Sequence, residues 1–124
     1  MEFNEYQKKA TETVISLDKI KNSYVNWNIP ESLWTVVGVA YSGLGLGEVG
    51  EVQNKIKKII RDKGGEITKD DIDAIKKELG DVLWYVADMC TKFGVEMNDV
   101  ADGNIKKIFG RKDRGTLLGS GDNR

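Results

Sequence analysis

The sequence contains no histidine, one cysteine and one proline among its 124 residues. The absence of histidine excludes Ser–His and Cys–His nucleophile pairs, zinc sites with imidazole ligands and imidazole general bases. The single cysteine, Cys90, excludes an intramolecular disulfide and a thiolate metal cage. Any catalysis therefore depends on carboxylates, hydroxyls, amides, Lys and Arg. A bound metal is expected to be a hard cation such as Mg²⁺, or Mn²⁺.

The chain also lacks an excess of charge of either sign, because 19 Lys and Arg balance 20 Asp and Glu. This balance argues against nucleic acid as a partner. The longest uncharged run, 32–47, is shorter than the ~20 residues that a membrane-spanning helix needs, and the acidic N-terminus does not resemble a signal peptide. We therefore expect a single cytoplasmic domain over residues 1–124 that has no membrane partner, with a polar tail at 113–124.

Apolar residues recur at the three- and four-residue spacing of amphipathic helices. Gly64 and Gly94 are typical helix stops, and Thr68 with Asp71 forms a capping box at the start of a helix. The one strand candidate, 34–41, has no second strand to pair with. The pattern predicts an all-α, four-helix bundle-like fold with helices over about 4–17, 33–63, 69–93 and, capped by Asn98 or Asp99, up to 112.

The third of these helices has an apolar arc of about 120° that is expected to face the core. Cys90 lies on this arc and is interpreted as a core thiol. The turn 83–86 is apolar all the way round, which predicts cover on two sides, the second from another subunit. The arc comprises Ile72, Ile75, Leu79, Val82, Leu83, Val86, Met89, Cys90 and Phe93.

Two matched acidic segments carry the strongest functional signal. Glu48 and Glu51 flank Val49-Gly50, and Glu78 and Asp81 flank Leu79-Gly80. Side chains three residues apart on a helix share a face, so each segment presents two carboxylates together. An antiparallel helix pair would bring all four to one cleft, where their repulsion calls for one or two divalent ions.

These segments allow two alternative interpretations to a metal site. Acids three residues apart are common on solvated faces, and Glu51 with Lys55 is a typical surface ion pair. Gly45, Gly47 and Gly50 formally match a dinucleotide-binding fingerprint, but Glu48 would lie inside its phosphate loop and no second strand follows. We reject the fingerprint. Glycine within a helix costs up to about 1 kcal/mol, so close approach of another backbone or a ligand is expected at Gly50 and Gly80.

The C-terminal segment is basic, with six Lys and Arg against two Asp from residue 106 onwards. Asn104, Lys107 and Arg111 share one helix face and are suited to binding phosphate oxygens. The closing segment 119–124 could wrap a phosphate with its backbone N–H groups, or it could be a frayed end.

Taken together, these motifs resemble those of the MazG-like family of all-α nucleoside triphosphate pyrophosphohydrolases. The similarity lies in the two acidic segments, in the run 78–87 and in Asn104-x-x-Lys107-x-x-x-Arg111, and the ending 119–124 resembles that of a subgroup. The resemblance implies an oligomeric helical bundle, a homodimer or homotetramer. It also implies Mg²⁺ held by Glu48, Glu51, Glu78 and Asp81, and hydrolysis of a nucleoside triphosphate to the monophosphate and pyrophosphate.

Further roles follow from the resemblance. Glu51, or Glu48, is the expected general base, with Lys55 keeping Glu51 ionised. Trp27 or Trp34 could stack on the base. Two alternatives remain, an enzyme of narrow base specificity like the dUTPases or dCTPases, and a non-catalytic helical protein that binds a nucleotide or metal. The expected contacts to substrate are Lys55, Lys58, Tyr85, Asn104, Lys107 and Arg111.

Overall fold

Five α-helices and one 3₁₀ turn make up the part of the chain that the structure, a computed structural model, describes. That part is residues 1–14 and 31–124, with side chains for 1–14 and 38–124. It contains no strand, so the all-α prediction is confirmed, and the strand candidate 34–41 lies within a helix. The elements are α1 (Phe3–Thr11), α2 (Glu31–Gly45), the 3₁₀ turn (Leu46–Glu48), α3 (Val49–Lys63), α4 (Lys69–Phe93) and α5 (Met97–Asp113).

Helix α4 is the centre of the fold, because α1, α2 and α3 all pack against it. The core joins Ala10 of α1, Ala87 and Cys90 of α4, and Met97 at the start of α5. Tyr6 and the apolar turn of α4 close around this cluster. Burial raises the pKa of the Cys90 thiol, which agrees with its interpretation as an unreactive core residue.

The first helix is shorter than predicted. It ends at Thr11, not at residue 17, and residues beyond 14 lie outside the described part, as does the predicted loop with Trp27. At this end, the Thr11 hydroxyl donates to Gln7 O at 2.9 Å and the Thr13 hydroxyl to Ala10 O at 2.8 Å. Hydroxyls that bond the backbone in this way slightly weaken a helix.

The second predicted helix, 33–63, is two helices joined by the 3₁₀ turn at Leu46–Glu48. The backbone of Gly45 and Glu48 stays in the right-handed helical region, so the chain tightens without reversing. Apolar periodicity alone does not show this junction, because α- and 3₁₀-helices differ by less than one residue per turn.

Local sequence signals set the C-terminal ends of α3 and α4 and the start of α4 as predicted. Gly64 and Gly94 adopt the left-handed conformation at helix C-termini, and Thr68 with Asp71 forms the complete capping box. The start of α5 differs, because its N-cap is Glu96 and no cap bond comes from that side chain. Instead, two α1 side chains accept the free N–H groups: Gln7 Oε1 from Met97 at 3.0 Å and Asn4 Oδ1 from Asn98 at 3.0 Å.

The predicted core arc of α4 is only partly buried. Ile72 is 56% exposed, Leu79 53% and Phe93 64%, because α1, α2 and α3 cover the middle of this long helix and leave its flanks open. Within the chain, Trp84 bonds to Thr13 beyond the end of α1 and Tyr85 packs against α2. All four side chains of the turn 83–86 are nevertheless only half-buried, so cover from a second subunit stays a prediction.

No helix in residues 1–14 and 31–124 combines the length and apolar character needed to cross a bilayer.

Candidate active site

Three of the predicted carboxylates lie together where the 3₁₀ turn meets α4. Glu48 ends the turn, and Glu78 and Asp81 are separated by one turn of α4. One oxygen from each carboxylate lies within 4.8 Å of the others. Glu48 and Glu78 are half-buried and Asp81 is exposed, so the acid group, as we call these three residues, is open to solvent on one side.

The fourth predicted ligand, Glu51, is not a member of the acid group. It lies in the first turn of α3 and its side chain is exposed. The junction between the 3₁₀ turn and α3 falls between Glu48 and Glu51, so the two residues do not lie on one regular α-helix as the spacing argument assumed.

Lys55 contacts the acid group directly. Its ammonium nitrogen lies 3.1 Å from Glu78 Oε1, and both side chains are mostly buried. The sequence placed Lys55 beside Glu51, whereas the structure pairs it with Glu78 across the α3–α4 interface. Three carboxylates and this one ammonium leave two negative charges, which matches the charge of one divalent cation.

Two further tyrosines lie near Tyr85 or Asp81, and neither was among the site residues predicted from the sequence. Tyr41 of α2 lies 6.3 Å from Tyr85 between ring centroids. The pKa of Tyr85 is raised, mainly by burial and by the hydrogen bond with Tyr41, with smaller contributions from the charges of Glu48 and Asp81. Burial, and then the charge of Asp81, raise the pKa of Tyr6 of α1. Aromatic residues on an amphipathic helix carry no sequence signal that separates packing from a site role.

Within the described residues, none of the other predicted substrate contacts forms an ion pair with the acid group. Lys58 is exposed on α3 and Asn104 on α5. Lys107 Nζ lies 3.9 Å from Asp122 Oδ1, and buried Arg111 Nη2 lies 3.3 Å from the same oxygen. Lys107 and Arg111, the two cationic contacts predicted on α5, are therefore paired with the tail.

The tail itself is folded back, not frayed. Arg111 Nη2 donates to Gly121 O at 3.2 Å and Asp122 O at 3.0 Å, and Arg124 donates to Thr116 O at 3.2 Å. Backbone carbonyl oxygens of the tail thus accept the hydrogen bonds of these guanidinium groups.

The glycines of the acidic segments have no close neighbour within this chain. A Cβ added at Gly50 or Gly80 would find nothing within 4 Å, so neither is explained here by close backbone approach. Gly45 is different, because an added Cβ would overlap the Tyr85 ring. The glycine that the fold requires here is the one at the end of α2.

The acid group suits a hard divalent cation. Mg²⁺ and Mn²⁺ prefer carboxylate oxygens, and three such ligands approach one another here with only one ammonium to offset their repulsion. Because Asp81 is exposed, a cation held by the acid group would remain open to a further ligand from solvent or substrate, as catalytic metal sites require.

The chain is similar to known proteins over most of its length. The chain is similar to a protein of Mycobacterium phage L5 named "Gene 37 protein", with 48% identity over 91 residues that cover 73% of this chain and 80% of the phage protein. No solved structure matches the chain. The family described as "MazG nucleotide pyrophosphohydrolase domain" matches residues 43–116, which include the whole acid group, Lys55 and Arg111. Since this match covers more than half of the sequence, the chain belongs to the MazG nucleotide pyrophosphohydrolase family.

Proposed function

We propose that this protein is a Mg²⁺-dependent pyrophosphohydrolase that converts nucleoside or deoxynucleoside triphosphates to monophosphates and pyrophosphate. The observation that carries the proposal is the acid group, which lies inside the segment that matches the MazG domain. Membership of the family supports pyrophosphohydrolase chemistry, and the carboxylates support the dependence on Mg²⁺, for which Mn²⁺ is the expected substitute.

Glu48, Glu78 and Asp81 would hold the cation. When bound, a divalent ion neutralises phosphate charge and lowers the pKa of a coordinated water. In the reaction, a water oxygen bonds to phosphorus, the bond between the α- and β-phosphates breaks, and pyrophosphate leaves. A carboxylate accepts the proton of the water.

Glu51 is the proposed general base, because it lies outside the acid group and would not be bound to the cation. Glu48 is the alternative base. Lys55 is placed to exchange Glu78 for a substrate phosphate, since it already lies at the edge of the acid group. Tyr85 borders the same group and is a proposed contact to phosphate or sugar.

Lys58, Asn104, Lys107 and Arg111 are also proposed substrate contacts. For Lys107 and Arg111, substrate would have to compete with the Asp122 carboxylate. Such a contact either opens the tail or comes from a second copy of the chain.

A homodimer or homotetramer is proposed as the functional form. Helix α5 supports it, because Ile105 and Phe109 are each 53% exposed and Val100 is 45% exposed. Apolar side chains exposed along one helix are typical of surfaces covered by a partner.

The test of function is pyrophosphate release from a panel of ribo- and deoxyribonucleoside triphosphates, with Mg²⁺ and then with EDTA. We expect release that EDTA abolishes. The pattern across the panel distinguishes broad from narrow base specificity. Absence of release from every nucleotide would favour a non-catalytic binding protein.

Two substitutions separate ligand from base. Asp81→Asn should lower both Mn²⁺ affinity and turnover, turnover by more than about a hundredfold, because even outer-shell changes at metal sites cost ~10–100-fold. Glu51→Gln should lower turnover and leave Mn²⁺ affinity unchanged. Asp73→Asn, an exposed acid on α4 outside the acid group, is the matched control and should change neither. Equal Mn²⁺ affinity in wild type and Asp81→Asn would contradict the proposal.

A further inference from the structure

A polar cluster is buried between α2 and α4, apart from the acid group. Ser42 is fully buried and Asp88 is 2% exposed. The Ser42 hydroxyl donates to Asp88 Oδ2 and accepts from Lys92 Nζ at 2.6 Å, while Lys92 Nζ also lies 2.6 Å from Asp88 Oδ2. We call these three residues the buried link, because Ser42 belongs to α2 and the other two to α4.

The buried link is not explained by stability alone. A buried ion pair loses its hydration, and apolar residues of similar volume commonly stabilise a fold as well or better. Ser42 is also shielded completely from solvent, so its contact with Lys92 does not make it an accessible nucleophile. What the buried link does supply is a directional connection between two helices, since its hydrogen bonds tolerate little rotation or sliding.

The acid group lies on the same pair of elements, in register with the buried link. Ser42 meets Asp88, Gly45 meets Tyr85, and Glu48 meets Asp81. Each step advances about one turn along α2 and the 3₁₀ turn while it moves back about one turn along α4, as in an antiparallel pair. The buried link and the acid group therefore lie at the two ends of one row of contacts between these elements, about 10 Å apart.

Backbone continuity couples these two ends. Between Ser42 and Glu48 the chain is helical throughout, and Gly45 and Glu48 both keep right-handed helical angles. The two positions are only about two helical turns apart, so we expect a rotation or shift of α2 at Ser42 to be transmitted to Glu48. Lys92 strengthens the connection, because its ammonium also lies 5.8 Å from the centre of the Tyr41 ring, beside Tyr85.

From this register we infer that the buried link formed by Ser42, Asp88 and Lys92 positions Glu48 against Glu78 and Asp81. Ser42, Asp88 and Lys92 are positioning residues and touch no ligand themselves. The inference rests on the proposed function, in that the acid group must bind a divalent ion for its geometry to have a consequence. Ligands misplaced by a fraction of an ångström to an ångström bind and act measurably less well.

The test compares two hydroxyl deletions by Mn²⁺ titration, with electron paramagnetic resonance of the free ion as the readout. Ser42→Ala removes the α2 side of the buried link and leaves the Asp88–Lys92 pair in place. Thr91→Ala is the matched control, because its hydroxyl joins the same part of α4 to α1, 3.2 Å from the Thr11 hydroxyl and 3.3 Å from Gln7 Nε2. We expect Ser42→Ala to weaken Mn²⁺ binding about tenfold, within the range for outer-shell changes, and Thr91→Ala to leave it within about twofold of wild type.

A second pair of variants serves if Ser42→Ala does not fold. Asp88→Asn with Lys92→Met removes both charges but keeps an amide oxygen for the Ser42 hydroxyl, whereas Asp88→Ala with Lys92→Met removes the acceptor as well. The Ser42 hydroxyl then retains only Gly38 O, at 3.2 Å. We expect Mn²⁺ affinity near wild type in the first double variant and about tenfold weaker in the second.

The outcomes separate the two proposals. Mn²⁺ affinity unchanged in Ser42→Ala, or lowered equally in Thr91→Ala, overturns the positioning role and leaves the proposed function intact. Absence of Mn²⁺ binding by the wild-type chain overturns both.

Discussion

Gly45 and Tyr85 show how one missing side chain shapes the candidate site. Gly45 has ordinary right-handed helical angles, so its backbone alone does not call for glycine. The Tyr85 ring occupies the space where a Cβ would lie. This contact brings the end of α2 close to α4 one turn before Glu48 enters the acid group.

We therefore expect Gly45→Ala to lower the free energy of unfolding. Overpacking of this kind costs about 1–3 kcal/mol, partly offset by the up to about 1 kcal/mol that alanine gains in helix propensity. Gly47→Ala is the control, because a Cβ there meets nothing within 4 Å. Urea denaturation of both variants measures the difference, and equal stabilities would show that Tyr85 moves aside freely.

The hairpin of α3 and α4 depends on one carboxylate, that of Asp71. Both of its oxygens lie 2.7 Å from Lys63 Nζ at the end of α3, and it accepts from Thr68 N at 2.9 Å in the capping box of α4. The bonds from Lys63 and then Thr68 lower the pKa of Asp71 to about 2. The carboxylate thus joins the end of one helix to the start of the next.

This shift predicts how stability varies with acid pH. A carboxyl group whose pKa is lower in the folded than in the unfolded state stabilises the fold above its unfolded value, here 3.8, and this stabilisation is lost as the pH falls towards about 2. Asp71→Asn should therefore lower the free energy of unfolding at neutral pH, and its difference from wild type should shrink between pH 4 and pH 2. Urea denaturation across this range measures it, with the adjacent exposed Asp70→Asn as control. A difference that does not vary with pH would mean that the charge of Asp71 plays no part.

The described part of the chain leaves much apolar surface uncovered, including a stretch along α5. This helix is joined to α1 at its first turn, through Gln7 and Asn4, and its apolar side chains further along are largely exposed. Exposed apolar surface of this kind supports the proposed assembly with a second copy.

Sedimentation velocity should accordingly report at least a dimer. Ile105→Glu places a charge on the apolar face of α5 and should shift the protein towards monomer. Lys106→Glu, at the next and exposed position, changes the net charge by more and should leave the assembly unchanged. A wild-type monomer at micromolar concentration would contradict the proposed oligomer.

Local signals in the sequence were enough to predict α4, α5 and the C-terminal end of α3. Gly64, Gly94 and the pair of Thr68 with Asp71 act within one turn, so their effect is encoded by residues close in sequence. The spacing of acids on one helix is equally local, which is why Glu78 and Asp81 could be placed on a common face. The short range of these hydrogen bonds makes them independent of the rest of the fold.

Contacts between helices could not be predicted in this way, because they depend on how the helices are rotated and where each one breaks. The 3₁₀ turn places Glu48 in the acid group and leaves Glu51 exposed to solvent. Packing of α3 against α4 pairs Lys55 with Glu78. The cap of α5 comes from α1, 90 and 94 residues away in the chain. Periodicity in one chain reports which face of a helix is apolar, whereas the partner that each polar side chain meets is decided only when the helices pack.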